Sequence, residues 1–223
     1  MPQLTRFDDV FVLDLGSDEN RFHPDWMREV NDALGEIEAA TGPRALTTVA
    51  TGKFWSNGLD LAWVGAHPEE LIPYADSMHD LVARLLALPV PTVAAVQGHA
   101  FAAGAILALA HDYRVMRADR GYICLPEVDI EIPFTPGLTA LIRSRLTPQT
   151  AHRMVTSGHR YGGDEALAAG IVDETADQDT VRQRSIDLAA SLAAKAGPTL
   201  GTIKVRLYQD VLRALRDRAA NIP

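Results

Sequence analysis

Two hydrophobic rhythms alternate along the first half of the chain. Short, largely apolar runs at Val10 to Leu15, Ala45 to Ala50, Val93 to Val96 and Tyr113 to Ala118 have the length of strands. Between them the apolar positions move to helical spacing. Pro24 opens a helix with Met27, Val30, Leu34 and Ile37 on one face, which closes at Gly42-Pro43. Pro73 to Leu88 carries Met78, Leu81, Val82, Leu85 and Leu86 at the same period and stops before Pro89. Ala105 to Ala110 is a strong helix former that follows a turn of small residues. The order β-α-β-α-β-α-β predicts an α/β layered fold with right-handed parallel crossovers.

Later elements are shorter. Tyr122 to Leu125 reads as a strand that runs straight into Pro126-Glu127, and Pro133 and Pro136 keep the next segment irregular. A helix is expected from Gly137 to Leu146, and Thr147-Pro148 reads as an N-cap with proline at the first helical position. Asp164 to Ala169 predicts a short helix stopped by Gly170, with Ile171-Val172 as a short strand on the core. Thr180 to Ala196 and Thr199 to Asp217 predict two closing helices. Leu200, Ile203, Leu207, Val211 and Leu215 form an apolar stripe on the second, which must be buried against something.

Composition narrows the function. The 223 residues suffice for one main domain, and a net charge of −8 argues against a general nucleic-acid or anionic-membrane surface. A small-molecule partner is expected. Cys124 is the only cysteine, which suits a reducing compartment and a buried structural thiol. Met1 to Asp9 has no apolar leader core, no run reaches a membrane span, and the ending Ala219 to Pro223 is not Ser-Lys-Leu, so a cytoplasmic protein is expected. No H-E-x-x-H metal pattern, G-x-S-x-G elbow or Walker loop occurs, so no metal is expected.

Candidate chemistry centres on two glycine-bearing turns. After Val96, the segment Gln97-Gly98-His99-Ala100-Phe101-Ala102-Ala103-Gly104-Ala105 contains mostly small side chains and leads into a helix whose first amides lack intrahelical partners. Such a turn either packs closely or presents donors to a phosphate, a carboxylate or the oxyanion of an activated carbonyl. The second turn, Gly52-Lys53-Phe54-Trp55-Ser56-Asn57-Gly58-Leu59-Asp60-Leu61, follows the strand at Ala45 to Ala50. Trp55 and Trp63 near it read as packing or as acyl-chain contacts.

Together the two turns resemble the enoyl-CoA hydratase/isomerase (crotonase) family over nearly the whole chain, as far as Gly163 to Asp173. Ser56-Asn57-Gly58, His111-Asp112-Tyr113 and Val128-Asp129-Ile130-Glu131 are most similar to the Δ3,Δ2-enoyl-CoA isomerases of the plant peroxisomal kind. The resemblance implies a crotonase-like spiral of ββα/βαβ units over residues 1–175 and a helical trimerisation region over 176–223. A homotrimer or a dimer of trimers would follow. It also implies an acyl-CoA substrate, with coenzyme A entering as part of the substrate and no separate cofactor. The thioester oxygen would be held by the backbone N–H groups of Leu59 and Ala103, with Ser56, Asn57, Gly58, Asp60, Gly104 and Ile106 around the substrate.

Removing a proton next to a thioester carbonyl needs oxyanion donors and one base. Hydratases of the family use two glutamates. Here the first position falls at Ile106, which cannot transfer a proton, and the second at Glu127. One carboxylate suffices to carry a proton from C2 to C4 of a 3-enoyl thioester, so the resemblance implies double-bond isomerisation. A hydratase with a displaced acid, another thioester reaction and a non-catalytic acyl-CoA binding subunit are the alternatives. Glu127 follows a proline at a strand end, and apolar neighbours such as Ile106, Leu125 and Ile130 would raise its pKa. Glu131 is the competing base. His99 reads as a turn or packing residue, and His111 as a helix-ending cation. Asn57 reads as a loop-binding group or as a contact to the thioester, Asp60 as an acceptor for loop N–H groups, and Lys53, Arg21 and Arg28 as solvated surface cations unless they converge on the coenzyme phosphates.

Overall fold

A computed structural model describes residues 1–221. Its main sheet has six strands in the order β1-β2-β3-β5-β7-β9, formed by Gln3–Phe7, Val10–Asp14, Ala45–Val49, Thr92–Val96, Tyr113–Arg117 and Glu174–Ala176. Only β1 runs antiparallel, as a hairpin with β2. The remaining neighbours are parallel, in the order the crossovers predict. Between these strands the chain lays down β4 (Phe54–Ser56), β6 (His99–Phe101) and β8 (Ile123–Cys124), which pair with one another in a second parallel sheet. Each turn of the spiral is therefore ββα. Two or three residues are too few to show a period, so β4 and β6 are not legible as strands in the sequence.

Alternation along the strands divides the core. Phe11, Leu13, Leu46, Ala94 and Met116 face α1 (Pro24–Ala39), α3 (Leu71–Ala87) and α4 (Ala103–Ala110), together with α5 (Pro136–Arg145), in one continuous apolar cluster. Val10, Val12, Ala45, Val49, Val93, Ala95 and Val115 face the other way, onto α8 (Val181–Leu192). Strands covered on both faces read as unbroken apolar runs, which is why they stood out. A further short helix, α2 (Leu61–Ala66), follows the Gly52 to Leu61 turn, and α6 (Pro148–Ser157) and α7 (Gly163–Ala168) follow α5.

Several expectations need correction. Ile171-Val172 is a buried turn rather than a strand, and the pairing strand starts three residues later, at Glu174. The expected boundary between residues 175 and 176 falls inside β9, and α8 forms a layer of the main sheet rather than part of a separate region. The last residues of that region, Ile222 and Pro223, lie outside the described residues. The helix expected over Thr199 to Asp217 breaks at Tyr208 into α9 (Pro198–Leu207) and α10 (Gln209–Arg216). That break splits the apolar stripe. Val211 and Leu215 of α10 are buried beside α5 and α3, whereas Ile203 and Leu207 of α9 remain exposed. What α9 buries is Lys204, whose Nζ lies 2.6 Å from the Asp112 carboxylate and donates to Val90 O at 2.8 Å.

His111 does end a helix, but not as a cation. It is fully buried, its Nδ1–H donates to Leu107 O and its Nε2 accepts from the Thr48 hydroxyl, both at 2.8 Å. Burial lowers its pKa to about 3 and the nearby Arg114, Lys204 and Arg145 push the same way, so the ring is neutral. The unfolded chain binds this proton near 6.5, so the stability His111 contributes is complete above that pH and is lost as pH falls toward 3. In urea unfolding of wild type and His111→Gln, wild type should lose stability relative to the variant by roughly 1.4 kcal/mol per pH unit below 6.5.

Candidate active site

Two loops and a strand end meet at the site. The first loop leaves β4 at Ser56 and runs through Asn57-Gly58-Leu59-Asp60 into α2, where Asp60 Oδ1 accepts the Trp63 N–H at 3.1 Å as the N-cap. The segment before α1 fastens it. Ser56 Oγ donates to Asn20 O at 2.8 Å, Asn57 N–H donates to Glu19 O at 2.8 Å, and Gly58 O accepts from Phe22 N–H at 2.9 Å. The second loop joins β6 to α4 through Ala102, which sits at φ 52°, ψ −126°, a conformation that L-residues rarely adopt. Its N–H donates to Cys124 O on β8 at 3.1 Å.

Glycine allows the two loops to touch. A Cβ on Gly104 would lie 2.4 Å from Ser56 O, and one on Gly58 would lie 2.9 Å from Phe101 O and 3.0 Å from Ala103 N. Gly58 also holds φ at +79°. The Leu59 end of one loop is thereby set against the first amide of α4. Three of the four consecutive amides at 57 to 60 have partners: Asn57 N–H on Glu19 O, Gly58 N–H on Ser56 Oγ, and Asp60 N–H on the Tyr74 hydroxyl. The Leu59 and Ala103 N–H groups have no acceptor among the described residues.

A cavity of about 220 Å³ opens beside these amides, with Leu59, Ala102 and Ala103 on one side and Glu127 among its lining groups. Most of the wall is apolar, built from Met78, Ile130, Ile132, Pro133, Phe134 and Leu138. Glu127 follows β8 and Pro126 in a turn closed by Asp129 and Ile130 N–H groups on Pro126 O. It is 9% exposed, and its Oε2 has no hydrogen-bond partner. Burial raises its pKa to about 7. Glu131, four residues on, takes φ 58°, is exposed to solvent and faces a shallower groove with Val128 and Val155.

Of the residues expected around the substrate, Asn57 lines this cavity. Ser56, Gly58, Asp60 and Gly104 stand behind its wall, where they shape the loops, and Ile106 is buried in the core one turn into α4. Trp55 is fully buried, while Trp63 stacks between His67 and Tyr74. Arg28 pairs with Asp25 on the surface, and Arg21 lines the cavity while keeping an exposed pair with Glu19. Lys53 lies near His99, whose ring packs 4.9 Å from that of Phe101 in the cavity wall. There Lys53, Arg120 and Arg160 add their charges to burial in lowering the His99 pKa, and none of the three pairs with a carboxylate among the described residues. Phe101, Met78 and Phe134 were not anticipated as lining residues. Met78 shares the face of α3 that the period assigned to the core, so the sequence carried no signal separating it.

The ββα spiral with two facing loops defines a crotonase-type fold. The family profile described as enoyl-CoA hydratase/isomerase matches residues 10–221, and the chain belongs to that family. Enoyl-CoA delta isomerase 3 of Arabidopsis thaliana is 39% identical over 233 aligned positions, covering 100% of this chain and 98% of that one. The peroxisomal enoyl-CoA delta isomerase 2 of the same plant is 40% identical, covering 95% and 93%. Among solved structures, an apo enoyl-CoA isomerase of Mycobacterium tuberculosis superposes with a TM-score of 0.89 at 28% identity, over 97% of this chain and 95% of that one. Human mitochondrial Δ3,Δ2-enoyl-CoA isomerase shares the fold, with a TM-score of 0.91 at 22% identity over 98% and 87%.

Because the folded state raises the Glu127 pKa, it binds this proton more tightly than the unfolded chain. Its ionisation therefore removes stability as pH rises from 4.5 to about 7, opposite in sign to His111. Glu127→Gln is expected to unfold on the order of 2–3 kcal/mol later than wild type at pH 8 and to match it near pH 4.5, read from denaturant midpoints at both pH values.

Proposed function

We propose that the chain is a Δ3,Δ2-enoyl-CoA isomerase. The observation that carries the reading is a single buried carboxyl, with one oxygen unpartnered, in an apolar cavity that also holds two backbone amides without acceptors. A thioester oxygen seated between the Leu59 and Ala103 N–H groups acidifies the C2 protons. Ionised Glu127 takes one, and the C–H electron pair joins the C3–C4 double bond in a dienolate whose charge is shared by the oxygen, C2 and C4. The amides stabilise the charge where it develops, each donor of this kind contributing about 2.7–4 kcal/mol in other enzymes. Glu127 then returns the same proton at C4, and the double bond moves from C3 to C2. No atom is gained or lost.

A pKa of about 7 suits a group that must accept and return one proton. Hydration would also need a second acid–base group to handle water, and the buried hydrocarbon of Ile106 supplies none. Glu131 is exposed in an adjoining groove that shares Glu127, Ile132, Pro133 and Phe134 with the apolar cavity but does not line that cavity itself, which favours Glu127 as the base. For the phosphates of coenzyme A we assign Lys53, Arg120 and Arg160, the unpaired cations that act together on His99. Exposed Ile203, Val205 and Leu207 on α9 support burial of that face in a homotrimer or dimer of trimers. No helix among the described residues is long and apolar enough to cross a membrane, and the lone buried Cys124 fits a reducing, cytoplasmic setting.

The test is turnover of 3-hexenoyl-CoA, following both the conjugated 2-enoyl thioester and any 3-hydroxyacyl product. Wild type should make only the conjugated product, Glu127→Gln should lose roughly 10²–10⁴ in kcat, and Glu131→Gln should stay within about threefold. Below pH 7 the wild-type kcat/KM should fall about tenfold per unit as the base becomes protonated. A hydroxyacyl product, or loss of activity in Glu131→Gln rather than Glu127→Gln, would overturn the assignment.

A further inference from the structure

Four consecutive amides, Asn57 to Asp60, pass the cavity, and what leaves only the Leu59 N–H unpaired is a bond made from outside the loop. The hydroxyl of Tyr74, on α3, accepts the Asp60 N–H at 2.9 Å. On the opposite edge of the same peptide, Arg21 Nη1 donates to Leu59 O at 3.3 Å, and Arg21 is itself paired with Glu19. We infer that Tyr74 and Arg21 are positioning residues, which hold the Leu59–Asp60 peptide from both edges and so aim the Leu59 N–H at the thioester oxygen. This inference rests on the isomerase reading of the cavity.

Leu59 lies between two fixed peptides. Upstream, the Gly58–Leu59 peptide, which carries the Leu59 N–H, is held at its carbonyl by Phe22 N–H at 2.9 Å, and a Cβ at Gly58 would meet Phe101 O and Ala103 N. Downstream, the Leu59–Asp60 peptide cannot rotate without breaking the Tyr74 and Arg21 bonds. Tyr74 is itself immobilised. It is 4% exposed and stacks on Trp63 with ring centroids 5.4 Å apart, and the Trp63 N–H is held by Asp60 Oδ1. Burial pushes its pKa well above the ordinary phenol range, so it remains a neutral acceptor and places no anion behind the oxyanion. Without the hydroxyl, the Asp60 N–H loses its acceptor and the Leu59–Asp60 peptide is free to turn, so one of the two flanking anchors that set the direction of the Leu59 N–H is lost.

A carbonyl that is gripped by donors shows a lowered stretching frequency, which reads donor alignment without any turnover. The probe is 2,4-hexadienoyl-CoA labelled with ¹³C at the thioester carbonyl, bound to wild type, Tyr74→Phe and Arg21→Met and followed by isotope-edited infrared spectroscopy. In Tyr74→Phe the red shift on binding should shrink to about half, and kcat for 3-hexenoyl-CoA should fall roughly 10–30-fold with KM changed less than about threefold. A purely structural tyrosine would lower the melting temperature and leave both the carbonyl band and kcat at wild-type values, which would overturn the inference. If Tyr74→Phe does not fold, Arg21→Met loosens the same peptide from its carbonyl edge and must show the same reduced shift. A wild-type protein that produces no shift at all would remove the thioester reading itself, and this inference with it.

Discussion

The contact between two backbones at Gly104 and Gly58 is the constraint on which the site depends. Side chains usually separate neighbouring loops by several ångströms, and a single methyl at Gly104 would overlap the Ser56 carbonyl at 2.4 Å. Without that approach, the amides of Leu59 and Ala103 belong to two unrelated turns. With it they border one cavity, although 44 positions separate them in the chain. The rest of the spiral serves this meeting. Parallel pairing of β4 with β6 and of β6 with β8 carries the two turns and the Glu127 strand end to one side of the sheet. The strained Ala102 marks where the backbone reverses to enter α4.

Charge is distributed by the same logic. The cavity wall is apolar on most sides, so the carboxyl of Glu127 is raised toward neutrality by burial rather than by a second carboxylate, and a single group can take and return a proton near pH 7. Permanent charges that are buried elsewhere have partners: Lys204 with Asp112, Arg114 with Asp173, and Arg44 with the carbonyls of Ile37 and Gly42. Glu127 leaves its Oε2 without a partner, and its ionisation lowers stability. Lys53, Arg120 and Arg160, which pair with no carboxylate among the described residues, stand around His99.

The C-terminal helices show how one residue redirects an amphipathic pattern. Lys204 reaches inward to Asp112 and the Val90 carbonyl, so α9 turns its apolar residues to solvent. The break at Tyr208, whose hydroxyl accepts from Arg145, lets α10 rotate its own apolar face onto α5 and α3. An apolar surface survives on α9 that the monomer does not cover.

The sequence by itself determined the layered α/β class, the order of the long strands and helices, and the two turns that carry the site. Those features are local: a strand buried on both faces is an apolar run, a crossover helix shows its period, and a turn shows its glycines. It also offered Glu127, beside a proline at a strand end, and Glu131 as candidate bases. Only the tertiary structure decided which of the two is buried in the cavity, since four residues around a turn at φ 58° separate a desolvated carboxyl from a solvated one. Only it placed Gly58 and Gly104 as spacers between loops, put Ser56 and Asp60 behind the wall, and made His111 neutral. The grip of Tyr74 and Arg21 on one peptide was equally hidden, because it joins three segments whose proximity no local pattern encodes. Burial and hydrogen bonding between distant segments set direction and charge, and those quantities do not exist until the chain has folded.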